Sequence, residues 1–165
     1  MDRRVFLAVG ALGLLVAGGA YFLISDDEDE IRELLAEAAN ASSLPADRGN
    51  PAFFALGMKS RLGDVLAPGA KVHAPELGDG GAGLEELVGA AMQYGEAYRS
   101  ASVRFDDVHF ARLEDRAATV NATVELSAIG AAGDARRDRR TAQIEVTKID
   151  GKWKIASVEV GPKRD

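Results

Sequence analysis

Six side chains in this 165-residue chain combine a type and a spacing that could do chemistry: His73, Asp106, Asp107, His109, Tyr94 and Tyr98. An imidazole titrates near neutral pH and serves as either acid or base, so His73 is the first candidate. With no carboxylate paired to it in the sequence, it reads more simply as a surface histidine ahead of a helix. Asp106, Asp107 and His109 form a second group. If the backbone turns one of them inward, it meets Tyr94 or Tyr98 from a preceding helix, which sets a base beside a hydrogen-bond donor. The competing reading leaves these charges on an edge strand, where they discourage aggregation. Neither group is a complete catalytic constellation, and the enzyme question leans towards no.

Other chemistries are thinner still. Two histidines far apart, with no cysteine anywhere, do not make a metal site, so no metal and no cofactor is expected. The absence of cysteine also removes disulfides and a thiol nucleophile. The run Gly78-Asp79-Gly80-Gly81-Ala82-Gly83 lacks the Lys-Ser or Lys-Thr of a phosphate loop and reads as a connection. A formal net charge of -6 argues against nucleic acid as a partner. Arg136, Arg137, Arg139 and Arg140 are expected on a solvated hairpin tip between Gly133 and Arg140. Two glycosylation patterns, at Asn40 and Asn121, fall in a predicted helix and strand and are discounted.

The elements that would position these residues follow from periodicity. Ser25 with Glu28 makes a capping-box pattern ahead of a helix over Asp27 to Ser42, with Ile31, Leu34, Leu35 and Ala38 on one face. Asn50-Pro51 starts a second helix carrying Phe54, Met58, Leu62 and Val65, stopped at Pro68-Gly69. Lys71 to Ala74 suggests a short strand, and Leu84 to Tyr98 a third helix. From Val103 the pattern alternates. Strands are predicted over Val103 to Arg112, Ala117 to Ile129, Thr141 to Asp150 and Lys152 to Val160, with a tight hairpin at Asp150-Gly151. Val103 and Phe105 are odd-numbered while Val108 and Phe110 are even-numbered, so a β-bulge is expected near Asp106-Asp107. A similar slip separates Trp153 and Ile155 from Val158 and Val160.

Ahead of this domain, Val5 to Ile24 carries no charge and is long enough to cross a bilayer of roughly 30 Å. Arg3 and Arg4 before it and the acidic run from Asp26 after it predict a cytoplasmic N-terminus. The chain is thus expected to be a single-pass protein of the cell (inner) membrane. Residues 1-25 would be the transmembrane anchor, and 26-165 one extracytoplasmic, periplasmic domain. Secretion after signal cleavage is the alternative, and Arg3-Arg4-Val5-Phe6-Leu7 resembles the core of a twin-arginine export signal.

Three helices followed by long antiparallel strands predict an α+β fold with the helices on one face of a curved sheet of about four long strands. Ile31 to Ala38, Val72-His73-Ala74-Pro75 with the glycine loop and Leu84-Glu85-Glu86-Leu87, and the closing Asp150-Gly151-Lys152-Trp153-Lys154-Ile155 carry a resemblance. In this order they resemble the nuclear transport factor two-like superfamily, the cystatin-like cone shared by SnoaL-like cyclases and ketosteroid isomerases, over nearly all of Asp27 to Val160. The resemblance implies a pocket between sheet and helices, with His73, Tyr94, Tyr98 and Trp153 as its candidate lining. Phe53, Phe54, Met58, Met92 and Trp153 are the side chains that would plug it instead. It also implies two functions: a tethered, non-catalytic module that binds an apolar small ligand, a protein partner or a second copy through its sheet; or an isomerase, cyclase or hydratase.

Overall fold

The computed structural model describes residues 26–77 and 80–162. The predicted span Val5 to Ile24 and the Ser25 cap lie outside the described residues. Among the described residues no helix is long and apolar enough to cross a membrane.

Helix α1 covers residues 26–42. Its i, i+3, i+4 stripe of Ile31, Leu34, Leu35 and Ala38 is buried as a unit against the sheet. Helix α2 (Pro51–Val65) is capped by the Asn50 side chain, which accepts from the amides of Ala52 and Phe53. It ends at Val65, and strand β1 (Leu66–His73) begins at once. The predicted stop at Pro68-Gly69 is therefore inside β1. Gly69 has φ +76 and supports the irregularity between Leu66 and Lys71 in the pairing with β5. A 3-10 turn (Pro75–Leu77) and helix α3 (Leu84–Ala97) complete the helical layer.

Strands β2 (Tyr98–Leu113), β3 (Ala117–Gly130), β4 (Ala135–Ile149) and β5 (Lys152–Val160) form an antiparallel meander. The sheet order is β1-β5-β4-β3-β2, so the sheet has five strands rather than four, with β1 joined in parallel at one edge. An eight-residue strand holding Pro and Gly carries too little alternation to be read at full length.

The expected bulge is present. Three residues of β2, from Asp106 to His109, advance against two of β3, and Asp107 sits at φ 51. Two more register shifts, after Tyr98 and after Phe110, bend β2 further. On β5 the slip between Ile155 and Ser157 matches the expected change of parity. The Asp150-Gly151 turn has positive φ at both positions, as a type I′ hairpin needs.

Strand β4 starts at Ala135, not Thr141, so the stretch predicted as a solvated loop is a strand. Arg136, Asp138 and Arg140 pair with Ala128, Leu126 and Val124 and share their inner face. Charged side chains at core-facing positions erased the alternation that would have identified them.

Candidate functional site

Two regions of the fold collect groups able to recognise a ligand. The first is the inner face of the β3–β4 tip, under α3. Tyr94 and Tyr98 lie one turn apart and stack, with centroids 4.1 Å apart and rings 17° from parallel. Arg136 donates to the Tyr98 hydroxyl at 3.3 Å and lies over the Tyr98 ring. Arg140 reaches Asp138 at 2.7 Å and Glu76 of the 3-10 turn at 2.7 Å, tying the turn to the sheet. Hydrogen bonding to Asp138, opposed by burial, holds the Arg140 guanidinium above its ordinary pKa. Burial first, then the hydrogen bond and charge of Tyr98, push the Tyr94 phenol up; the Asp138 charge adds to this and Arg136 opposes it. The Oδ1 atom of Asp138 is buried without a protein hydrogen-bond partner.

The second region is a cleft of about 1060 Å³ between the end of α1, α2 and the start of β2. Its apolar lining is Leu44, Phe54, Val65, Ala101, Ala128 and Ile129, with serine hydroxyls between them. Arg61, Arg136 and Arg137 stand at its rim with Glu37 and Asp64. The wall at Leu44 is built by backbone: Leu44 and Ala101 exchange two hydrogen bonds of 2.7 and 2.9 Å, and Ser43 Oγ accepts from the Val103 amide. Leu44-Pro45 reads in sequence as a helix stop, so the cleft had no local signal. Only the pairing of Leu44 with β2 creates it.

The other sequence candidates are dispersed. His73 ends β1 half-buried, its ring 2.6 Å from where a Cβ on Gly81 would stand, and Gly81 has φ +62. That contact requires glycine at position 81. Asp106 pairs with Thr123 and Asp107 Oδ2 accepts from Thr123 Oγ1 at 3.2 Å, which puts both on the outer face of the sheet. His109 pairs with Asn121 on that face and is exposed. The bulge therefore does not bring these groups to Tyr94 or Tyr98. Trp153 is 5 % exposed and belongs to the core at the opposite end, where its indole donates to Asp27. Of the candidate plugs, Met58 is fully buried, whereas Phe53 is 76 % exposed. Among the described residues no cluster of His, Asp and Glu could hold a metal.

The outer face has a feature that sequence reading missed. Glu125 is 6 % exposed although it points away from the core, because Arg104, Arg137 and Arg139 close over it at 3.5 Å each. Arg104 also pairs with Asp106, and Arg139 lies 3.8 Å from Asp107. The six charges balance.

Neither a family model nor a curated protein matches the sequence. Solved structures do match in shape. The chain is similar to a hexachlorocyclohexane dehydrochlorinase (LinA), with TM-score 0.65 and 10% identity over 87% of this chain and 93% of that one. It is similar to a scytalone dehydratase homologue from Novosphingobium aromaticivorans, with TM-score 0.59 and 16% identity over 88% and 91%. It is also similar to a nuclear transport factor 2-like superfamily protein from Salmonella enterica serovar Typhimurium, with TM-score 0.59 and 12% identity over 88% and 94%. At such identities the likeness shows the fold alone, an α+β cone like that of the nuclear transport factor 2-like protein from Salmonella.

Proposed function

We propose that this protein is a membrane-tethered, extracytoplasmic binding module, without catalytic activity of its own, whose cleft takes an apolar small ligand or an apolar segment of a protein partner. The observation that carries the reading is the cleft, which combines apolar walls with hydroxyls and contains neither histidine. General acid–base chemistry needs a titrating group within hydrogen-bond reach of the bound substrate. Here His73 and His109 are elsewhere, each tyrosine lies in a stack tied to an arginine, and the two carboxylates of the cleft, Glu37 and Asp64, stand at its rim among arginines. Phe53 and Leu56, 76 % and 65 % exposed on α2, add apolar surface outside the cleft.

Binding of an apolar fluorescent probe, anilinonaphthalene sulfonate, tests the site. The native chain should enhance its emission, and Ile129→Asp should abolish the enhancement. Unchanged binding in that variant would remove the cleft from consideration.

A second reading, as an isomerase, cyclase or hydratase, draws support from the dehydrochlorinase and dehydratase neighbours and from the unpartnered Asp138 Oδ1 near Tyr94. Turnover of any small hydroxylated or halogenated ring compound, lost in Asp138→Asn, would replace the first reading with this one.

A further inference from the structure

We infer that the two turns at the base of the cone face the bilayer, and that the cleft is held at the far end of α1, towards partners in the aqueous phase. This rests on the anchor proposed above. Asp27 is three residues beyond Ile24, and three extended residues reach at most about 11 Å. Asp27 is also fixed in the fold. Its Oδ1 accepts from the Trp153 indole at 3.0 Å and from Lys148 Nζ at 2.6 Å, pinning the first turn of α1 to the β4–β5 hairpin. That hairpin is joined to the β2–β3 turn, because the Lys148 amide donates to the Arg116 carbonyl at 2.9 Å. The two turns therefore form one base, and the end of the span must lie close to it.

From that base α1 runs 17 residues, about 25 Å, to the segment where Leu44 pairs with Ala101 at the cleft. Its exposed flank carries Asp26, Asp29, Glu30, Glu33 and Glu37 against Arg32 alone. Anionic headgroups repel such a flank, so α1 leads away from the surface instead of lying on it. The base exposes Arg116 and Lys152 beside Glu114, Asp115 and Asp150, so its place at the surface follows from the tether at Asp27 and not from its charge.

The chain has no cysteine, so single-cysteine spin labels report without background. The full-length chain is reconstituted into phosphatidylcholine vesicles containing phosphatidylglycerol, with nickel chelated to a headgroup as relaxing agent. Nitroxides are placed by Lys152→Cys and, separately, Ile129→Cys, both exposed positions. The nickel effect should be several-fold larger at 152 than at 129. Equal or reversed effects in vesicles that carry the protein on flotation would overturn the orientation while leaving the anchor intact. Failure to float would overturn the anchor and the orientation with it.

Discussion

The Asp27 carboxylate accepts a 3.0 Å hydrogen bond from the indole of Trp153, 126 residues later, and a 2.6 Å ion pair from Lys148. Three groups from the two ends of the domain thus meet at one oxygen. Burial pushes the Asp27 carboxyl up, but the bonds from Lys148 and Trp153 outweigh it and hold its pKa below the ordinary value. The bond to Asp27, against burial, raises that of Lys148. Asp27 therefore contributes stability above its unfolded pKa of about 3.9, lost as pH falls through the folded value. Lys148 contributes fully below about 10.4, lost as pH rises through its folded value. Asp27→Asn should cost about 1–3 kcal/mol near neutral pH and flatten the acid limb of a denaturation profile. A double-mutant cycle with Trp153→Phe should show coupling of at least about 0.5 kcal/mol.

Asp107 holds φ 51 at the bulge of β2. Asp and Asn tolerate the left-handed region because the side chain bonds locally, whereas a β-branched side chain clashes there. Asp107→Val should lower stability by about 1–2 kcal/mol, and Asp107→Asn should be near neutral. Urea denaturation of the two variants compares them directly, and equal midpoints would show that the bulge is unstrained.

Glu125 and its arginines differ in what their removal leaves behind. Taking away the buried carboxylate leaves three guanidinium groups facing one another, so Glu125→Ala should cost about 1–3 kcal/mol. Arg137 is 70 % exposed and one of three partners, so Arg137→Ala should cost no more than about 0.5 kcal/mol. Added salt should narrow the gap between them.

The Tyr94 phenol is raised by burial and by Tyr98, so its neutral form stabilises the fold. That contribution is complete below the unfolded pKa of about 10 and is lost as pH rises through the folded value. In a phenolate absorbance titration Tyr94→Phe should remove a late-titrating component of the native chain. A titration unchanged by the substitution would place the late phenol elsewhere.

Much of the architecture was legible in the residues. The stripe Ile31, Leu34, Leu35 and Ala38 and the alternation from Ala118 to Ala122 each carry their own period, so element type follows from local pattern. The bulge at Asp107 was readable from parity, since a shared buried face cannot change from odd to even without an inserted residue. The start of β4 was not readable, because Arg136, Asp138 and Arg140 occupy inner-face positions, where Asp134, each other and the distant Tyr98 and Glu76 satisfy them, and so erase the alternation.

The candidate site divides the same way. The side-chain types able to do chemistry, and the four-residue spacing of Tyr94 and Tyr98, were present in the sequence itself; their stacking on each other was not read from it. Which candidates share a face depends on sheet register, and register puts Asp106, Asp107 and His109 opposite Thr123 and Asn121 on the outside. The cleft depends on Leu44 meeting Ala101, a contact between segments with no common local signal. The sequence by itself determined the elements, the bend in β2 and the charge of α1, because periodicity and composition act over a few residues. Only the tertiary structure decided the cleft, the arginine cover of Glu125 and the union of Asp27 with Trp153, because each joins groups whose proximity arises from packing.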